Sequence, residues 1–175
     1  CILVMSFSIS GIASKSMEEE MVKMAADKAR AIAVLVANQV DGDEIAKLRP
    51  GDEKLFVYTE AKELLSKLKK ESNVLYMYTL YTDKSAVYYG VDGDRSVDYC
   101  PIGEVFPESY AFLHSVFEKG HSIAIEEITY EDDEYLITSY APMYDSQGNI
   151  VCAIGVDYDA ELIQADIDAL QLSTL

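Results

Sequence analysis

The side chains of this chain that could do chemistry are mostly acidic or aromatic. Asp92-Gly93-Asp94, followed by Asp98, resembles the opening of a calcium-binding loop, where alternate carboxylates converge on one cation. The bidentate glutamate that should close such a loop is missing, so the segment reads first as a solvated loop and second as a cation site. The acidic stretch from Glu126 to Glu134 reads as a charged hairpin tip that discourages edge-to-edge strand pairing. Only two histidines are present. His114 falls inside a predicted helix and His121 just past its end, and both read as structural or solvated. HExxH, GxSxG and a glycine-rich phosphate cradle are absent, and no nucleophile stands beside a base, so no enzyme is expected. Cys1, Cys100 and Cys152 lack zinc-ligand spacing, and their odd number argues against a disulfide framework. No cofactor is implied.

Tyrosine is the other unusual resource: thirteen, against five phenylalanines and no tryptophan. A tyrosine ring carries an apolar body and a polar tip, which suits a half-wet pocket as well as the edge of a core. The formal charge of −17, from 31 acidic and 14 basic side chains, repels phosphate backbones and anionic headgroups. Nucleic acid is therefore excluded as a partner, and a neutral or cationic ligand is favoured. With 175 residues, half of them apolar, the chain can bury one sizeable core.

The elements that must position these groups are legible from periodicity. CILVMSFSISGIA, residues 1–13, is uncharged and reads as the outer end of a transmembrane helix, with a buried N-terminal helix or strand as the alternative. Residues 17–40 repeat apolar positions every three or four residues and form a long amphipathic helix. Ser16 and Glu19 have capping-box spacing, which would start that helix afresh unless it runs on from the leader. A short helical patch follows at Glu44–Leu48, then a helix over Glu60–Asn73. Val74–Thr82 and Ala86–Val91 make a hairpin. A long loop with prolines at 101 and 107 leads to a helix over 108–120. Three further strands follow, at 122–131, 134–145 and 150–158, and a terminal helix closes the chain. This order predicts an α+β domain with a five-stranded antiparallel sheet, the long helix on one face and a loop-and-helix cover on the other.

The closing hairpin, Tyr140-Ala141-Pro142-Met143, then Asp145 and Gly148, then Gly155-Val156-Asp157, resembles the single Cache sensor family of PAS-like extracytoplasmic domains in bacterial membrane receptors. YMYTLYTD and VYYGVDGD resemble that family's first hairpin, and the likeness runs over residues 12–172. It implies a sensor domain at 14–172 between membrane spans, with residues 173–175 starting the exit toward the second. It also implies a small-molecule ligand, and an output that is chemotactic, histidine kinase or diguanylate cyclase. The arginine and tryptophan with which double Cache relatives hold amino acids are absent from the cover, so an α-amino acid is not implied. The competing expectation is a protein-interaction or dimerisation domain without a ligand.

Under that reading the ligand lies between the sheet and the 92–109 cover. Period-two alternation puts Val74, Tyr76, Tyr78 and Leu80 on one face of the first strand and Leu75, Met77, Thr79 and Tyr81 on the other. The expected contacts are Tyr76 and Tyr78, Tyr88 from the partner strand, Tyr99 and Tyr110 from the cover, Thr138 and Tyr140 from the fourth strand, and Asp92 as a charged anchor. A homodimer is expected along residues 17–38 of the long helix. Gly155→Pro is expected to break the last strand's ladder without touching the pocket.

Overall fold

The computed structural model describes the backbone of residues 2–97 and 99–173, and the side chains of 14–97 and 99–172. Asp98, and the side chains whose exclusion from the core the membrane-helix reading requires (Ile2–Ile12), lie outside that description. A single helix, α1, runs unbroken over Ile2–Ala37, so Ser16 does not start a new one. Among the described residues no helix is long and apolar enough to cross a membrane.

The buried stripe of α1 is an alanine stripe, Ala25, Ala26, Ala29 and Ala33, finished by Val36. Small side chains let the helix axis lie close on the sheet, against β5 (Glu134–Tyr144) and β6 (Ile150–Asp159). Met17, Met24 and Leu35, which the sequence reading counted among the helix's apolar positions, lie off that stripe. They are exposed instead, at 53%, 65% and 63%. After α1 come a one-turn helix, α2 (Gly42–Ile45), capped by the Asp41 carboxylate, and α3 (Phe56–Ser72). Asn73 ends α3 in the left-handed conformation, as a C-terminal cap requires.

The sheet order is β2-β1-β6-β5-β3, every pair antiparallel, with β1 over Tyr76–Thr82, β2 over Val87–Asp92 and β3 over Ile123–Ala124. The expected third strand is two pieces. β3 pairs with Ser139 and Tyr140, Ile125 N still donates to Thr138 O at 2.9 Å, residues 126–128 leave the ladder, and β4 (Thr129–Glu131) pairs with Leu136 to Glu134. β4 and β5 meet at Asp132-Asp133, both with positive φ, so this hairpin forms a flap on the sheet's outer strand. Pro142 lies beyond the reach of β3, where one side of β5 has no strand partner among the described residues. That is a position a residue without an N–H can hold. The β5–β6 turn is built as its residues dictate: Gly148 takes φ +84°, and the Asp145 carboxylate accepts from the Gln147 and Asn149 amides at 2.9 and 2.8 Å.

The sheet has a core on each face. Toward the helices, Met77, Val91, Ile154 and Val156 pack with Leu65 of α3 and Val36 of α1. On the other face Tyr78, Leu80, Tyr140 and Ala153 pack under Phe106 and under Leu113, Val116 and Phe117 of α4 (Tyr110–Lys119). A third, smaller cluster joins Ala25, Ala26 and Ala29 to Ile137 and to Ala160, the residue preceding α5 (Glu161–Ser173).

Candidate ligand cavity

The loop between β2 and α4 is held against the free edge of β2 by backbone bonds. Tyr89 N donates to Glu104 O, Gly103 N to Tyr89 O and Phe106 N to Val87 O, all at 2.8–2.9 Å. That strip drives Phe106 down onto Tyr78, Tyr89 and Tyr140, with ring centroids 5.9, 5.1 and 6.1 Å away. Phe106 thus fills the middle of the cover, and the space left over is a cavity of about 160 Å³ near the end of β6. Its aromatic walls are Tyr76, Tyr78 and Tyr89, with Cys100 from the loop beside them. Asp92 and Asp157 close it from the sheet, and the β4–β5 flap supplies Glu131, Asp132 and Glu134 at the mouth.

Asp157 is the centre of this arrangement. It is buried, accepts the Thr138 hydroxyl at 2.7 Å, and faces the Tyr78 hydroxyl at 3.5 Å. Burial pushes its carboxyl up to about 6, against the pull of those two hydrogen bonds. Burial also raises Asp92, although the Asp94 and Cys100 amides donate to it at 2.8 Å. Tyr78, Tyr89 and Tyr140 are all driven upward by burial and stay protonated.

Tyr78 can lie flat over β6 because Gly155 has no side chain. A Cβ there would stand 2.2 Å from the tyrosine ring. Gly155 pairs with Tyr78 on one side and Tyr140 on the other, so it supports the Tyr78 wall of the cavity from beneath. The expectation that it could be replaced without touching the pocket is corrected.

Of the residues expected from sequence, Tyr76, Tyr78 and Asp92 line the cavity. Thr138 reaches it through Asp157, and Tyr140 is buried beside it against Phe106. Three do not converge there. Tyr88 points to the helix-side face, stacks on Tyr81 at 5.3 Å and donates to Asp83, because Tyr81 and Tyr88 are register partners. Its neighbour Tyr89 faces the cavity instead. Tyr99 turns outward under the Lys62 ammonium, 4.1 Å from its ring centroid. Tyr110 lies along its own helix, stacked on Phe117 and bonded to Glu118. The cavity residues not among those expected contacts are Asp157, Tyr89, Cys100, Leu136 and the flap carboxylates. Asp157 was visible as the polar end of an otherwise apolar strand, and Tyr89 follows from pairing β2 against β1.

Among the described residues no three His, Cys, Asp or Glu side chains are placed to hold a metal ion. Of the carboxylates in the calcium-like reading of the 92–98 loop, Asp92 is tied to backbone amides and Asp94 to Lys69 at 2.7 Å, and Asp98 lies outside the described residues.

Several solved receptor domains superpose on this fold. The sensor domain of the Vibrio cholerae histidine kinase DctB superposes with a TM-score of 0.64 at 13% identity, over 89% of this chain and 57% of that one. The Escherichia coli DcuS sensor domain superposes at 0.57 and 12% identity, over 85% and 98%. The fold is the Cache sensor fold. The ligand-binding domain of the Campylobacter jejuni chemoreceptor Tlp3, solved with L-valine, gives 0.48 at 14% identity, and this chain covers 92% of itself and 66% of that domain. The chain therefore spans a little under two thirds of the Tlp3 domain. No protein-family model matches the sequence, and no curated protein matches it significantly. The likeness is one of backbone, and it carries no ligand over to this chain.

Proposed function

We propose that this domain senses a small molecule on the extracytoplasmic side of a membrane-anchored receptor, and that the cavity at Asp157 is the ligand site. The observation that carries the reading is Asp157 itself. A buried carboxylate without a cation beside it opposes folding at neutral pH, and an asparagine would accept from Thr138 without that penalty. Strongly perturbed carboxyls in a cavity are the usual mark of a functional site. The kinship of fold with chemoreceptor and kinase sensor domains supports the receptor context.

The cavity's walls also lead outward. Asp157 is followed on β6 by Tyr158, whose hydroxyl accepts from Lys28 of α1 at 2.9 Å, and then by the start of α5. Leu136 of the cavity is followed on β5 by Ile137, which packs on the α1 alanines. A ligand that draws the flap and β6 together therefore moves α5 against α1, provided it binds the two positions unequally. The exposed residues Met17, Met24 and Leu35 fall within about 20° of one another around the helix axis, which suits a parallel dimer along residues 17–38.

That exposed stripe also favours the rival reading, an interaction domain without a ligand. A small-metabolite panel read by thermal shift separates the two. A ligand at a hundred times its dissociation constant adds about 2.7 kcal/mol of stability. Stabilisation by one chemical class, lost in Tyr89→Ala, supports sensing, and a panel without any stabilising compound leaves the interaction reading ahead.

A further inference from the structure

Resting on the sensing role, we propose that the cavity takes a small organic cation. The hydrogen-bond donors around the space are already used by the protein. Tyr76 donates to Glu134 at 2.8 Å, Tyr78 faces Asp157, and the Tyr89 hydroxyl adjoins the Cys100 thiol. The Asp94 and Cys100 amides are taken by Asp92. What remains is acceptors. Both bonds to Asp157 fall on Oδ1, which leaves Oδ2 free to receive a ligand. Each ionised carboxylate has about four lone-pair sites, so the flap acids add further capacity.

The charge balance points the same way. No Lys, Arg or His is among the residues lining the cavity, whereas five carboxylates are. The nearby ammonium groups are held outside it, Lys69 on Asp94 and Lys62 on the Tyr99 ring. Tyr76, Tyr78 and Tyr89 line the space; the Lys69 ammonium already lies 5.2 Å from the Tyr76 ring centroid, so the Tyr78 and Tyr89 rings are the ones left to attract a desolvated cation. An anion would meet no free donor and at least two carboxylates. A space of about 160 Å³ is near the size of a cavity that takes benzene, so a ligand head of about six heavy atoms fits.

The test compares three probes of one chain length on the whole domain at pH 7.5 and fixed ionic strength: 1,4-diaminobutane, butane-1,4-diol and succinate. n-Butylamine, choline and guanidinium extend the ammonium arm. The proposal expects an ammonium probe to raise the melting temperature and to show saturable binding by calorimetry. Asp157→Asn should weaken that binding at least tenfold, with unchanged circular dichroism. Glu126→Gln, in the open acidic groove beside α1, should leave it alone. Binding by succinate or the diol, lost in Tyr89→Ala, would keep the sensing role and overturn the cation. Ammonium binding that ignores Asp157→Asn, or that Glu126→Gln abolishes, overturns the cavity as its site. Absence of binding by every ammonium probe also overturns the proposal. Sensing itself falls only if the wider metabolite panel is silent too.

Discussion

The ring of Tyr78 occupies the space that a side chain at position 155 would need. Gly155, its register partner on β6, would put a Cβ 2.2 Å from the ring. The contact holds Tyr78 flat, brings its hydroxyl to Asp157 and leaves the cavity open above. Gly155→Ala must therefore displace a fully packed ring. We expect a loss of about 1–3 kcal/mol in urea denaturation, the usual result of overpacking, together with loss of ligand stabilisation.

The pH dependence of stability carries the signature of Asp157. The groups facing it are Tyr78 from β1, Tyr89 and Asp92 from β2, Glu131 from β4, and Thr138 and Tyr140 from β5, none of them cationic. Its carboxyl rises from 3.8 to about 6 on folding. The folded state thus binds more protons between those values, and stability from this group is full below about pH 4 and lost as pH rises through 6. Two pH units correspond to on the order of 3 kcal/mol. Carboxylates held low, such as Asp94 at about 2 and Asp145 on its own turn, work in the opposite sense at lower pH. The comparison is therefore wild type against Asp157→Asn: the variant should gain relative to wild type between pH 4 and 7. A constant difference across that window would contradict a buried, ionising Asp157.

Tyr88 and Tyr89 are adjacent and face opposite ways, which gives a matched pair of variants. Tyr89→Ala should abolish ligand stabilisation, whereas Tyr88→Ala, which loses only a surface stack on Tyr81 and a bond to Asp83, should keep it. Calorimetric titration of both against the best compound of the panel is the check. Equal effects would place the ligand away from the cover side.

Met24 and Leu35 are more than 60% exposed, so charging them should not disturb the core. Met24→Arg with Leu35→Arg is expected to shift sedimentation toward monomer while leaving thermal stability at high dilution within about 0.5 kcal/mol. Unchanged sedimentation would remove α1 as the dimer surface.

Much of the fold was legible because its signals are local. The 3.6-residue period of α1, the alternation of β1 and the Asp145–Gly148 turn each specify one element within a few residues. The face assignment of Tyr76 and Tyr78 followed from that alternation. What sequence could not show depends on which element lies against which. Tyr88 was preferred to Tyr89 because facing residues on β2 are defined only once its register with β1 is known. Tyr99 and Tyr110 were placed inside because the cover's contact with the sheet was assumed to be made by tyrosine, whereas Phe106 makes it. The apolar positions of α1 mix methionines and alanines, and only the close approach to β5 shows that the alanines are the ones that pack.

The central claim is that a ligand occupies the space between Asp157, Asp92 and the tyrosine walls. Amide hydrogen exchange with the best-stabilising compound reads this directly. The account predicts slowed exchange over residues 76–80, 89–94, 131–138 and 155–159, with a smaller change in α5. Protection confined to the α1 surface or to the groove between α1 and α5, with those cavity segments unchanged, would contradict it.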